Sequence, residues 1–269
     1  GNILVIWVIC RYRRMRTPMN YFIVNLAVAD LLFSLFTMPF WMVYYVMQGR
    51  WPFGDFMCRI WMYFDYMNMY ASIFFLTCIS IDRYLWAICH PMRYMRWMTP
   101  RHRAWVMIII IWVMSFLISM PPFLMFRWST YRDENEWNMT WCMIYDWPEW
   151  MWRWYVILMT IIMGFYIPMI IMLFCYWRIY RIARLWMRMI PSWQRRRRMS
   201  MRRERRIVKM LIIIMVVFII CWLPYFIVMF MDTLMMWWFC EFCIWRRLWM
   251  YIFEWLAYVN CPCINPIIY

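Results

Sequence analysis

Asp65 stands alone among aromatic side chains in WMYFDYMNMYASIFF, residues 61–75. A lone carboxylate facing a pocket suits a cationic ligand, and aromatic rings suit a desolvated ammonium. The alternative is an ion pair with a base on a neighbouring segment, but no lysine or arginine falls at matching depth in the other apolar stretches. Further along, ISIDRYLW closes an apolar run with Asp82, Arg83 and Tyr84. Asp30 lies in the middle of NLAVADLL. With Ser72, Asn260 and Asn265 it makes an oxygen-rich set for a hard cation such as sodium, or a water-bridged polar cluster without an ion. Glu204 sits in a run of arginines where another apolar segment begins. Charges buried in lipid are expensive, so each of these is a candidate functional group if the segments that carry them cross a membrane.

The elements that must position these groups read as membrane helices. The 269 residues are 68% hydrophobic, where soluble domains average nearer half, and the mean hydropathy is +0.55. Apolar segments run roughly over 1–10, 19–47, 57–88, 104–126, 150–184, 203–236 and 246–269. Most reach the roughly 20 residues that span a bilayer, and an open segment in lipid satisfies its backbone only as a helix. The expected fold is an all-α membrane protein: one seven-transmembrane bundle over 1–269, its first and last helices truncated, with a long basic third inner loop at 185–202. No internal repeat suggests the inverted halves of a transporter.

The net charge is +16. Its placement points to a lipid membrane and not to nucleic acid. Basic clusters occupy the loops at 11–16, 93–103 and 181–209, and the alternate loops at 48–56, 127–149 and 237–247 carry mixed charge. The positive-inside rule then puts the basic set in the cytoplasm and the N-terminus outside. NMT at 138–140 makes Asn138 a glycosylation acceptor in an outer loop. Of 11 cysteines, Cys58, Cys142, Cys240 and Cys243 lie in polar connections where an oxidising face permits bridges.

Depth links the charges. Asp65 and Arg83 are 18 residues apart on one segment, roughly 27 Å along a helix and close to the hydrocarbon thickness. Glu204 and Trp222 are also 18 apart, on a segment that runs the opposite way. Glu204 can therefore sit level with Arg83, and Trp222 level with Asp65. The alternative for Glu204 is a solvated charge. Pro39, Pro168, Pro224, Pro262 and Pro266 lie in apolar runs and permit kinks. Trp222, beside Pro224, reads as ordinary packing or as a ring that biases a hinge.

Taken in order, the motifs resemble the rhodopsin-like (class A) family of G-protein-coupled receptors over essentially the whole chain. GN opens the first segment, NLAVADLL lies in the second, DRY closes the third and Trp112 lies in the fourth. FYIP, CWLP and NPIIY mark the last three. The resemblance implies a multi-pass plasma-membrane receptor that is not an enzyme. It implies a disulfide from Cys58 to Cys142. It implies a resting pair of Arg83 with Asp82 and Glu204, which activation breaks as the sixth helix swings outward to admit a heterotrimeric G protein, with arrestin as a further partner. Tyr176 and Tyr269 would stabilise the open form, and Ile73, Pro168 and Phe218 would form a packing triad beneath the pocket. Asp30, Ser72 and Asn265 match a sodium site, so sodium is an expected allosteric modulator and no cofactor is required.

The subfamily features are mixed. WPFG, DYMNMYASIFFLTCISIDRY, CHP, SWQRRRRMSMRRERRIVKM and CINP are similar to opioid and somatostatin peptide receptors. Aminergic likenesses are Thr160, the FCEFC bridge of Cys240 and Cys243, and Pro39 nine residues after Asp30, where the peptide receptors usually have eight. Tyr225, Phe226, Trp255 and Tyr258 would cage an amine on Asp65. The expected ligand set is Asp65, Tyr66, Met69, Thr160, Trp222, Tyr225, Phe226, Trp255 and Tyr258. The expected ligand is an extracellular basic peptide acting through Gi/o, with a biogenic amine or acetylcholine as the alternative. The pattern departs from the family by one residue near Trp86 and one at Pro262, and Met69 and Tyr70 are bulky enough to narrow the pocket. With 34 Met and 24 Trp, the chain also fits a designed or consensus-like bundle that copies the pattern without signalling.

Overall fold

A computed structural model describes residues 1–88, 100–132, 138–144, 148–189 and 195–235, with Ile252 on its own. Five helices among the described residues are long and apolar enough to cross a membrane: Pro18–Val46, Gly54–Leu85, Arg101–Met125, Glu149–Ile182 and Ile212–Met231. The shorter apolar helix Asn2–Arg11 precedes them. These six are the first six expected segments. The seventh, with Trp255, Tyr258, Asn260, Pro262, Asn265 and Tyr269, lies outside the described residues, as do Cys240 and Cys243.

Helix α1 spans Asn2–Arg11. Helix α2 spans Pro18–Leu32 and starts where the sequence says it should: Thr17 accepts from the Asn20 N–H and Pro18 takes the first turn, a cap of about 1 kcal/mol. A π-turn over Phe33–Thr37 follows, and α3, Met38–Val46, completes the second span. The π-turn lies between Asp30 and Pro39: one widened turn keeps the span helical just ahead of a proline that has no N–H to give. Helix α4 spans Gly54–Ile88. The fourth span is α5, Pro100–Ile118, broken at Ser119 before α6, Met120–Met125, where Pro121 and Pro122 each lack an N–H.

Strands β1, Phe126–Arg132, and β2, Asn138–Ile144, pair antiparallel between the fourth and fifth spans, with Trp128 opposite Cys142. The helical bundle thus carries a small β-hairpin that hydrophobicity alone does not reveal. Helix α7, Glu149–Trp154, runs into a π-segment over Tyr155–Tyr166 and then α8, Ile167–Met189. Helix α9 spans Arg195–Met235 and continues through Pro224.

The loop expected at 185–202 is largely helix: α8 reaches Met189 and α9 begins at Arg195. Arginine and methionine are good helix formers, this stretch has no glycine, and its proline at 191 falls between the two helices. Charge alone reads as loop, but intrinsic propensity lets both helices project beyond the lipid.

The third span is the hub. Its apolar window is 72% buried inside the protein, against 28–44% for the other four. Large apolar side chains on those four, such as Leu35, Ile109, Leu117, Ile170 and Ile220, are exposed, as expected where the solvent is lipid. A second cluster packs at the outer end of α4: Trp51, Cys58, Trp61, Met62 and Cys142. Trp51 stacks on Trp61 at 4.6 Å, and its N–H groups bond Thr140 O at 2.7 Å and Gly54 O at 2.9 Å. Gly49 has φ +90°, and a Cβ there would meet the Trp141 ring at 2.5 Å, so this turn requires glycine.

Candidate functional site

Asp65 projects from α4 into a small interior cavity with Phe33, Tyr66, Asn68, Met69, Ser72, Trp222 and Tyr225. The volume open to the centre of a water molecule is about 20 Å³, enough for a single water or a small ion. Residues 65, 68, 69 and 72 share one helical face by their i, i+3, i+4 and i+7 spacing. Trp41, on α3, donates its indole N–H to Asp65 Oδ1 at 3.2 Å. Four of the expected ligand residues, Tyr66, Met69, Trp222 and Tyr225, line the same cavity as Asp65.

Two others lie elsewhere. Thr160 is buried in the π-segment, with its hydroxyl 3.1 Å from the Tyr70 hydroxyl. Tyr70 also lies 3.3 Å from the Tyr155 hydroxyl, which donates to Ile118 O at 3.1 Å. Phe226 is fully buried and stacks on Phe165 at 4.3 Å. Thr160 therefore belongs to a polar chain linking the third, fourth and fifth spans, and Phe226 to the packing between α9 and the π-segment. Trp222 stacks between Phe218 at 5.9 Å and Phe226 at 5.8 Å. Ile73, Pro168 and Phe218 are all buried, and Ile73 and Phe218 share the main apolar cluster.

Of the expected sodium set, Asp30 is fully buried and Ser72 nearly so. Ser72 Oγ has no hydrogen-bond partner among the described residues, and neither has either side-chain atom of Asn68. Two adjacent orphaned polar side chains beside a water-sized cavity are what a water or a small cation would satisfy. Asn68 was missed in the sequence reading, although its spacing, three residues from Asp65 and four from Ser72, was the available signal. Trp41 was missed too. Its signal was a polar N–H on an otherwise apolar helix, which seeks an acceptor when buried.

At the inner end, Ser80 donates to the Tyr176 hydroxyl at 3.0 Å, which joins α4 to α8. One turn on, the Arg83 guanidinium donates to the Met19 sulfur at the start of α2. Arg83 Nε is buried without a partner among the described residues. Tyr84 packs on Phe174 at 5.8 Å. The Glu204 side chain lies outside the described residues, so the pairing with Arg83 stays an expectation. At the outer end, Cys58 and Cys142 form a disulfide with Cα atoms 5.6 Å apart. Asp55 accepts from the Trp128 N–H at 3.0 Å and pairs with Arg59 at 2.6 Å. The hairpin is thus tied to the top of the helix that carries Asp65. The Asn138 side chain is also outside the described residues.

The family described as 7 transmembrane receptor (rhodopsin family) matches residues 1–269. Somatostatin receptor type 5 of Rattus norvegicus is 36% identical over 232 residues, covering 85% of this chain and 59% of that protein. Somatostatin receptor type 2 is 40% identical over 178 residues in both Mus musculus and Sus scrofa, covering 65% of this chain and 46% of each relative. The chain therefore spans about half the length of these relatives, and the somatostatin-type resemblance is borne out. With the family matching residues 1–269, apolar spans around a buried third helix, and the disulfide in its expected place, this chain belongs to the rhodopsin family of seven-transmembrane receptors, as a multi-pass plasma-membrane protein and not an enzyme.

Proposed function

We propose that this protein binds an extracellular basic peptide of somatostatin type through Asp65 and activates a heterotrimeric G protein of the Gi/o class, with arrestin as a second cytoplasmic partner. The observation that carries this reading is the Asp65 carboxylate, oriented by the Trp41 indole at 3.2 Å and lining a cavity that Trp222 of α9 closes. A cation entering there meets a partly desolvated carboxylate, where a charge-assisted bond is strong. It also presses on a tryptophan stacked in the helix that carries Glu204 at its other end. To signal, the ligand must bind the open state better than the closed one. Contact with Trp222, Tyr225 and the seventh-segment residues Trp255 and Tyr258 would supply that difference.

On the same reading, Asp30, Asn68 and Ser72 hold sodium in the resting state together with Asn260 and Asn265, and Asn138 carries a glycan. Sodium should weaken agonist binding to the wild type and not to Asp30→Asn; equal sensitivity in both would remove the ion from the scheme.

The central test uses receptor in nanodiscs with a panel of short basic peptides and biogenic amines. Asp65→Asn should lower affinity about thirtyfold, the factor for loss of a bond worth about 2 kcal/mol to a charged group, with expression unchanged. Retained affinity would overturn the anchor. Agonist-dependent nucleotide exchange on the G protein tests the second half. A response to amines alone would move the ligand to the aminergic class, and no exchange with any ligand would support a non-signalling bundle.

A further inference from the structure

We infer that the lipid-facing side of α8, where Trp177 passes into Arg181 and Arg184, is a binding site for a polyanionic phosphoinositide-type lipid of the inner leaflet. Residues 170, 174, 177, 181, 184 and 188 recur at i, i+4, i+7 spacing and form one stripe along the helix. The stripe changes character along its length. Ile170, Leu173 and Phe174 are exposed hydrocarbon, Trp177 and Tyr180 are exposed amphipathic rings, and Arg181 and Arg184 are exposed cations. Arg188 continues the row in the sequence. That is the order of acyl chain, interface and headgroup in one leaflet. The exposed rings Trp177 and Tyr180 mark the interface, which sets Arg181 and Arg184 at headgroup level.

Two features separate this stripe from an ordinary solvated face. The sequence contains no aspartate or glutamate between Glu149 and Glu204, so no acid on α8 can pair with these arginines at i±3 or i±4. The Arg181 guanidinium lies 5.1 Å over the Trp177 ring, which holds the charge at the interface and leaves its in-plane donors to an outside acceptor. Several guanidiniums gathered within about two turns exceed what one phosphodiester can serve. A headgroup with several phosphates matches them, and juxtamembrane basic clusters attract such lipids. The acyl chains would lie along Ile170, Leu173 and Phe174.

The inference rests on the proposed cytoplasmic placement of the basic loops. The test reads lipid binding in detergent, which depends neither on sidedness nor on agonism, so its failure is distinct from failure of the receptor reading. A fluorescent short-chain phosphatidylinositol bisphosphate is titrated onto the purified receptor. Wild type should bind saturably. Arg181→Gln and Arg184→Gln should each weaken binding about fivefold, and the pair about thirtyfold; Trp177→Leu should weaken it as well. Arg101→Gln with Lys209→Gln removes the same charge from other exposed positions and should leave binding unchanged. Wild-type affinity in the Arg181/Arg184 pair, or equal loss in the Arg101/Lys209 control, would overturn the site. Displacement of the probe by free inositol trisphosphate as readily as by the lipid would overturn the role of the apolar half of the stripe.

Discussion

Asp65 is held in place by a neighbour on another helix. The Trp41 indole donates to it at 3.2 Å while the same ring packs edge-on to Trp61 at 4.8 Å. Trp41→Phe keeps most of the packing and removes the donor. We expect it to weaken peptide binding about fivefold, less than Asp65→Asn, because a carboxylate that has lost an orienting bond worth about 1 kcal/mol must be ordered by the ligand instead. Titration of one peptide onto both variants checks this, and an unchanged Kd would reduce the bond to packing. Asn68 makes a contrasting point. Its type and position are plain in the sequence, but its lack of any partner among the described residues depends on what the neighbouring helices present to it.

The π-segment of the fifth span is the element with the most specific demand. A Cβ on Gly164 would lie 2.8 Å from Tyr70 Cε1 and 3.0 Å from Met159 O. Tyr70 is fully buried and bonded to Thr160 and Tyr155, so its ring can yield only by breaking that polar chain. Gly164→Ala should therefore destabilise the protein by about 1–3 kcal/mol, read as a drop of several degrees in the Tm of purified receptor. An unchanged Tm would mean that the third and fifth spans separate at little cost. The two π-turned stretches, Phe33–Thr37 and Tyr155–Tyr166, both precede a proline, at Pro39 and Pro168. Periodicity predicts such a helix but not its widened turns, because apolar residues on a lipid-facing surface tolerate either register. The β-hairpin escaped for a related reason. Its strands alternate only weakly, and what places them is Trp51, the Cys58–Cys142 bridge and the Asp55–Trp128 bond.

For the whole molecule, the proposed switch couples a pocket near one face to Arg83 near the other through the third and sixth spans. The described residues place Arg83 against Met19, with Tyr176 held one turn away by Ser80. If Glu204 completes a resting lock, Glu204→Gln should raise basal nucleotide exchange about fivefold, since a partly exposed ion pair is worth about 1 kcal/mol. Basal exchange in nanodiscs measures this directly, and an unchanged rate would place Glu204 among the solvated charges of the basic segment.

Much was determined by residue type and order alone. Apolar lengths specify the spans, because lipid admits no other open structure than a helix. Basic clusters predict sidedness, and the rise per residue separates Asp65 from Arg83 by roughly 27 Å, the span on which the proposed pocket and switch rest. The Cys58–Cys142 pairing followed from the family resemblance, and the structure forms it. What only the tertiary structure decided is which groups meet across helices: Trp41 with Asp65, Tyr70 with Thr160 and Tyr155, Trp112 with Asn25 at 3.0 Å. It also placed Thr160 in the polar chain with Tyr70 and Phe226 in the stack on Phe165, and neither lines the Asp65 cavity. The rotation of each helix about its own axis sets these contacts. In a chain that is apolar on nearly every face, the hydrophobic pattern leaves that rotation undetermined, and close packing and a few buried polar bonds settle it.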